Sequence, residues 1–565
     1  MGSPQLNLEL PTTLPRSVYD YGERTSGETH GVVLTKPHVV SLILDLAGYV
    51  ADQDLASAAL LEPSCGHGAF VVQAVERLML SAKKFRRDAK DLGGAISASD
   101  IESSHVDITR EAVVHALQHH GVKRADAQAL AKKWIVCADF LLAPQHRRFE
   151  FVVGNPPYIR IEQLSPALQE EYRRRYQSIF DRADLYVAFI ERGLNLLVTD
   201  GVLSFICADR WILNKYGAPL RRLLSERFSV RCYVDLHRAS PFDTEVIAYP
   251  SIFAISPGTT DRVHVGVLET ASADECAAVL PMIAGRTMVG QSGVSMSVYD
   301  SWFEGEEPWV ISTPAHLEAL RNLEHKFSPI ETSARVGIGV ASGCDRIYIV
   351  EDGVDIEPNR LVPLVMRDDI ERGKIRNANR FVINTFNKVG GVVDLADYPK
   401  LARYLEIHKE DVRKRHVSQK NPGSWFRTID RVYPELVPVP KLLIPDIAGS
   451  NEVVFDEGHY HPHHNLYFVT SDVWDMEVLG GLLSSKVALF FVWSYAVKMR
   501  GGYLRFQAQY LRRIRLPDPE SIPKSLANSI RSAFRKREFA KLDALACEVY
   551  GIAGLPDFEF VDTRK

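Results

Sequence analysis

Leu60-Leu61-Glu62-Pro63-Ser64-Cys65-Gly66-His67-Gly68-Ala69-Phe70 decides the fold. It opens as an apolar strand, passes through small residues and glycines, and continues into an apolar-periodic helix expected from Ala69 to Leu80. Glycines there let the backbone approach a ligand at the carboxyl end of a strand, where α/β sheets bind ligands. The spacing is not that of a dinucleotide fingerprint, and the Gly-Lys-Ser/Thr of a phosphate loop is missing. Glu62 is better placed to meet a positive group than a phosphate. A cationic cofactor with an amino-acid portion meets that requirement.

Strand signals recur downstream. Ala95-Ile96-Ser97-Ala98-Ser99-Asp100-Ile101-Glu102 ends in acids, where doubly wound folds hold a ribose diol. Asp100 is the first choice for that contact and Glu102 the second. Trp134-Ile135-Val136-Cys137-Ala138-Asp139-Phe140 is the next strand. Its Asp139 can accept from an adenine amino group, and Phe140 can pack on the ring. Then Phe151-Val152-Val153-Gly154 runs into Asn155-Pro156-Pro157-Tyr158. The two prolines remove backbone donors and fix the chain direction. The loop offers an amide oxygen, a proline carbonyl and an aromatic face together. That set suits a planar base carrying an exocyclic amino group. Each acid alone reads as a strand-end cap, and Tyr158 alone as a packed ring. Their succession at strand ends favours a site.

These segments resemble a known family. The Leu61 to Phe70 stretch looks like the S-adenosylmethionine loop of amino-group DNA methyltransferases, and Asn155 to Tyr158 looks like their catalytic loop in its adenine-N6 form. Thr35-Lys36-Pro37-His38-Val39-Val40 is similar to the motif that contacts the methionine end of the cofactor. Ser240-Pro241-Phe242-Asp243 resembles the segment whose aromatic residue packs on an extruded base. Asp184-Leu185-Tyr186 opens the next helix, and Gly201 to Ile206 is the following strand. The motif order is that of the gamma class.

The resemblance implies an α/β, doubly wound Rossmann-like methyltransferase domain followed by an α+β target-recognition domain. It implies S-adenosyl-L-methionine as cofactor, held by Thr35, Glu62, Pro63, Ser64, Gly66, Gly68, Asp100, Ile101, Asp139 and Phe140. Asn155, Pro156, Pro157 and Tyr158 form the implied catalytic loop, and Tyr158 and Phe242 stack on the target base. Hydrogen bonds from both amino hydrogens to Asn155 and the Pro156 carbonyl would aim the nitrogen lone pair at the methyl group. Cytosine-C5 chemistry would need an activated cysteine nucleophile, usually in a Pro-Cys pair, and the chain has none. A duplex adenine must be flipped out to reach the loop.

The chain has 565 residues and a formal net charge of −4, with the apolar and charged content of an ordinary globular protein. No apolar run reaches membrane-span length, and Met1 to Pro15 lacks a signal-peptide core. The 7 cysteines are scattered, with no CxxC pair. A reducing bacterial or archaeal cytoplasm is the expected setting. His461, His463 and His464 cluster, but without partner spacing they read as a polar loop; no metal site is expected. The expected domains are an N-terminal extension (1–30), the catalytic domain (31–257), an irregular linker (258–310), the target-recognition domain (311–521) and a helical tail (522–565).

Arg360 to Arg427 holds 15 Lys/Arg against 8 Asp/Glu, so it is basic within an acidic chain. It includes Arg413-Lys414-Arg415 and the turn-flanked Trp425. A second basic stretch, Lys498 to Arg515, interleaves Tyr503 and Phe506 with Arg505. Arg413, Lys414, Arg415, Trp425, Tyr503 and Arg505 are the candidate contacts to double-stranded DNA. The expectation is a monomeric, site-specific adenine-N6 DNA methyltransferase from a restriction–modification or phage-defence system. A cognate restriction endonuclease, if there is one, is separately encoded. The alternatives are a glutamine-N5 protein methyltransferase, an RNA adenine methyltransferase, or an inactive specificity subunit.

Overall fold

Every residue of Leu60–Glu62 is buried, as a strand covered on both faces by crossover helices must be. It lies in the first of two units, Met1–Pro314 and Ala315–Lys565, of a computed structural model. The structure describes residues 33–244, 249–259, 262–286, 293–300, 302–376, 378–449, 451–496 and 503–562. Thus the expected N-terminal extension and Lys498 to Gly502 lie outside the described residues.

The first unit begins with α1 (Pro37–Ala47), β1 (Leu60–Glu62), α2 (Ala69–Phe85), β2 (Ile96–Asp100), α3 (Ser103–His119), α4 (Arg124–Trp134) and β3 (Ile135–Cys137). It continues with β4 (Phe149–Gly154), α5 (Pro166–Arg175), α6 (Tyr186–Asn195), β5 (Leu197–Ala208), α7 (Arg210–Leu213), α8 (Ala218–Arg227), β6 (Phe228–Asp235) and β7 (Pro250–Pro257). It ends with β8 (Arg262–Leu268), α9 (Ala273–Ile283) and β9 (Val294–Asp300). Pro37 at the first turn of α1 costs no helical hydrogen bond, and Gly48 closes that helix at φ 81°.

These strands form one 9-stranded sheet in the order β3-β2-β1-β4-β5-β7-β6-β8-β9. The strands from β3 to β5 are mutually parallel, and β7 inserts antiparallel between β5 and β6. The chain leaves β1 toward β2 and β3, then returns to β4 and β5 on the other side. This is the doubly wound α/β arrangement expected, and its switch point lies between β1 and β4. Ligands bind at such a point, outside the carboxyl ends of the strands.

The stretch 258–310 departs from the expected linker. Strand β8 pairs parallel with β6, and β9 pairs antiparallel with β8, so both extend the catalytic sheet. Val263, Val265 and Leu268 are buried, whereas most of the polar β9 sequence is only partly covered. An edge strand with so little apolar contrast gives a weak alternating pattern. Beyond it, Phe303 stacks on Trp309 at 3.9 Å between ring centroids, and the Trp309 amide donates to the Ile212 carbonyl at 2.8 Å.

The second unit carries two 4-stranded sheets. One joins strands Arg335–Ile338, Leu466–Thr470, Lys441–Pro445 and Val454–Asp456, all antiparallel. The other joins Ile349–Glu351, Arg380–Ile383, Leu361–Val365 and His461–Pro462. Helices Lys524–Lys536 and Phe539–Tyr550 form the expected helical tail, and it packs into this unit. A Cβ on Gly480 would meet Phe534 at 2.6 Å, and one on Gly481 would meet Ile530 at 2.4 Å, so glycines admit the tail helix. Among the described residues, no single helix is long and apolar enough to cross a membrane.

Candidate functional site

The loop after β1 is held open from below. Gly66 and Gly68 adopt φ of 49° and 88°, in the left-handed region that favours glycine. The Asp100 carboxylate, at the end of β2, accepts from the Gly66 amide at 2.8 Å. It also accepts from the Glu102 amide at 3.0 Å and lies 3.1 Å from His105 Nδ1. Thr109 Oγ1 donates to the Gly66 carbonyl at 2.8 Å, and Ser99 Oγ donates to the Pro63 carbonyl at 3.2 Å. The expected ribose ligand Asp100 is therefore also the brace of the glycine loop. Beside it the Ile101 side chain is exposed, an apolar surface next to an acid. Glu102, the second choice, is exposed on the same turn.

Glu62 ends β1 beneath this loop and is almost fully buried. Its Oε2 has no hydrogen-bond partner among the described residues. Burial pushes its carboxyl well above the ordinary range, and the neighbouring Asp100 charge adds to the effect. A buried carboxylate oxygen without a donor is costly unless a ligand supplies one.

The loop after β4 meets the first loop. Ser64 Oγ donates to the Asn155 backbone carbonyl at 3.2 Å. Asn155 Nδ2 points at the Val33 carbonyl and at Thr35 Oγ1, at 3.3 and 3.4 Å. A carbonyl can only accept, so these contacts, though long, fix which end of the amide is which. They leave Asn155 Oδ1 buried and without a donor among the described residues. Thr35 in turn forms an antiparallel bridge with Phe242, while the Lys36 amide donates to the Pro241 carbonyl at 2.9 Å. The structure thus joins three segments distant in sequence: Thr35, Asn155 to Tyr158, and Phe242. The Tyr158 ring stands edge-on to Phe242 at 6.5 Å and to Tyr186 at 6.1 Å.

Asp139 and Phe140 both make contacts within the protein. Asp139 Oδ1 accepts from the Leu141 amide at 2.7 Å, and Oδ2 accepts from the Tyr172 hydroxyl at 2.6 Å. Burial raises its pKa; these donors partly offset the rise. Phe140 is buried, packed on Phe189 at 5.2 Å with the Arg192 guanidinium over its ring at 4.9 Å.

Tyr186 and Asp184 are site neighbours the sequence did not reveal as such. Asp184 Oδ2 accepts from the hydroxyls of Tyr186 and Tyr216, at 3.0 and 3.1 Å, which fixes the ring that abuts Tyr158. Nothing in sequence marks Tyr216 as their partner.

In the second unit the basic candidates divide. Arg413 and Lys414 are exposed, and Arg413 and Lys409 both lie over the Trp425 ring, at 5.6 and 5.7 Å. Tyr503 is 42% exposed. Arg415 is a correction: its guanidinium donates to the carbonyls of Val412, Ser342, Trp425 and Arg427 and to the hydroxyls of Tyr348 and Ser418. It is an internal brace rather than a free phosphate contact. Arg505 is likewise engaged, forked onto the Asp446 carboxylate.

Comparison with known proteins places the chain in a family. A model described as Eco57I restriction-modification methylase matches residues 70–242, and one described as TaqI-like C-terminal specificity domain matches residues 368–516. The Type II methyltransferase M.BstVI of Geobacillus stearothermophilus is 42% identical over 93% of this chain and 96% of its own length. M.PaeR7I of Pseudomonas aeruginosa is 43% identical over 93% and 92%, respectively. The solved Type IIL restriction-modification enzyme MmeI, in complex with DNA, matches with a TM-score of 0.60 at 14% identity, over 93% of this chain and 75% of that one; this likeness is one of fold. With sequence identity sustained along almost its whole length, the chain belongs to the Type II restriction–modification DNA methyltransferases.

Proposed function

We propose that this DNA methyltransferase takes its methyl group from S-adenosylmethionine and places it on N6 of an adenine flipped out of duplex DNA. The observation that carries the reading is the Asn155 amide. Its nitrogen is turned toward Val33 and Thr35, and its oxygen is buried beside Pro156 with no partner among the described residues. An exocyclic amino group supplies the hydrogens that such an acceptor lacks.

The cofactor's donor requirements fit a second buried acceptor. Glu62 Oε2 has no partner among the described residues, and the glycine loop above it lets backbone amides approach a ligand. Thr35, Glu62, Pro63, Ser64, Gly66 and Gly68 would hold the amino-acid end, and Asp100 and Ile101 the ribose. Asp139 and Phe140 would border the adenine of the cofactor. When bound, S-adenosylmethionine supplies an electrophilic methyl group on a sulfonium.

The chain's residues do the positioning. Asn155 Oδ1 and the Pro156 carbonyl accept the two amino hydrogens, so the nitrogen lone pair is directed out of the base plane. Pro157 holds the loop direction. Tyr158 and Phe242 stack on the extruded base and offset part of the flipping cost, at about 1–3 kcal/mol per aromatic contact. Buried side chains hold the Tyr158 ring and so limit its freedom before the base arrives. Arg413, Lys414, Trp425 and Tyr503 remain the proposed DNA contacts; we further propose a monomer that works beside a separately encoded endonuclease.

The test is nucleoside mass spectrometry of duplex DNA incubated with the full chain and labelled S-adenosylmethionine. The reading requires label in N6-methyladenine, and label only in cytosine would refute it.

A further inference from the structure

We infer that Asp345, His463 and His464 form a binding site for a divalent transition-metal ion, zinc by the chemistry of its ligands, in the second unit. One donor atom from each residue falls within 4.8 Å of the others. His463 Nε2 lies 3.1 Å from Asp345 Oδ2 and 2.9 Å from His464 Nδ1. Donors bound to one zinc ion at about 2.0–2.2 Å, with angles near 90–110°, stand about 3–3.5 Å apart. These two spacings lie at or just below the short end of that range, and the third, between Asp345 and His464, is within 4.8 Å.

Hydrogen bonding alone serves this cluster only through a single shared proton. A ring nitrogen carries either one proton or one lone pair. If His463 Nε2 is protonated it can donate to Asp345, and His464 is left facing a donor already used. If it is unprotonated it can accept from His464, and its lone pair then faces a carboxylate oxygen. A single cation satisfies all three atoms at once.

The backbone holds the donors in place without an ion. The His463 amide donates to the Val365 carbonyl at 2.9 Å and the His464 amide to the Val340 carbonyl at 3.0 Å. A Cβ on Gly339 would meet the His463 carbonyl at 2.2 Å, so only glycine lets these segments approach. Ser342 Oγ donates to Asp345 Oδ1 at 2.5 Å, which leaves Oδ2 turned to His463. The His463 ring is buried, which fixes where its Nε2 points. The Asp345 side chain is 42% exposed and His464 is exposed, so an ion has a path in. Two imidazoles and one carboxylate are a zinc-type donor set with an open position for water or another oxygen ligand. The ion would fasten the loop at 339–345 to the turn at 461–464. Sequence conceals the site because Asp345 stands 118 residues before His463.

The test uses the full chain stripped with EDTA and titrated with Co2+, read by its visible absorption bands, and with Zn2+ by calorimetry. The site predicts one tight equivalent of either ion and a higher Tm with zinc. Asp345→Asn and His464→Ala alter exposed side chains, so both variants should fold. Both should bind at least about tenfold more weakly than the wild type. Absence of a tight equivalent in the wild type, or wild-type affinity in either variant, would overturn the inference.

Discussion

Asp100 Oδ2 accepts the Gly66 backbone amide at 2.8 Å, so the acid proposed to hold the ribose also braces the loop proposed to meet the rest of the cofactor. Binding and stability are coupled at this residue. Asp100→Ala should cost about 1–3 kcal/mol of stability by leaving buried donors unsatisfied, and should weaken S-adenosylmethionine binding as well. Asp100→Asn keeps an acceptor for Gly66 and should recover most of the stability. Denaturant unfolding and calorimetry on both variants separate the two effects; equal stability of the Ala variant and the wild type would remove the bracing role.

Glu62 sets a pH dependence. Its folded pKa is raised, chiefly by burial, so the free protein keeps this proton above the range in which an ordinary glutamate has lost it. A cationic group against Oε2 favours the ionised form. Cofactor binding should therefore release a proton, and affinity should rise with pH from about the ordinary glutamate value upward, until the raised pKa is passed. Calorimetry in buffers of different ionisation enthalpy measures the release. Glu62→Gln should abolish it, and an unchanged proton count in that variant would assign the proton elsewhere.

The basic run of the second unit should split in two. Lys414→Ala should reduce the salt dependence of DNA binding by about one unit of slope and leave Tm nearly unchanged. Arg415→Ala should instead lower stability by several kcal/mol, about 2–4 by the loss of charge-assisted bonds to buried carbonyls. Fluorescence anisotropy at a series of salt concentrations, beside thermal melts, distinguishes them. A stable Arg415 variant with a reduced salt slope would restore it as a phosphate contact.

A buried ion pair sits in the same unit. Lys441 and Asp456 are both 0% exposed and 2.9 Å apart, and the ammonium also donates to the carbonyls of Val437 and Tyr460. Asp456→Ala strands the lysine and should cost about 3–5 kcal/mol. Loss below about 1 kcal/mol in urea unfolding would mean that Lys441 sheds its proton or reaches water.

Much of the first unit was legible in sequence. Parallel strands buried on both faces read as apolar runs, and their breaks at Glu62, Asp100 and Asn155 fall at the sheet's carboxyl edge. The juxtaposition of Thr35 with Phe242 was not legible in sequence, because a single backbone bridge leaves no local pattern. Strand β9 was missed because polar side chains fill an edge strand. Arg415 and Arg505 misled because a guanidinium bound by carbonyls or by a distant acid has the same sequence appearance as a free one. Asp446 lies 59 residues before Arg505, beyond any local rule.

The role proposed for Asn155 Oδ1 is to accept from an adenine amino group. Its most direct test is single-turnover methylation of duplex DNA by the wild type and Asn155→Ala, with the product nucleoside identified by mass spectrometry. The wild type should give N6-methyladenine, and the variant should lose about a hundredfold or more in rate while cofactor binding is largely kept. Near wild-type turnover by Asn155→Ala, or N4-methylcytosine as the sole product, would contradict it.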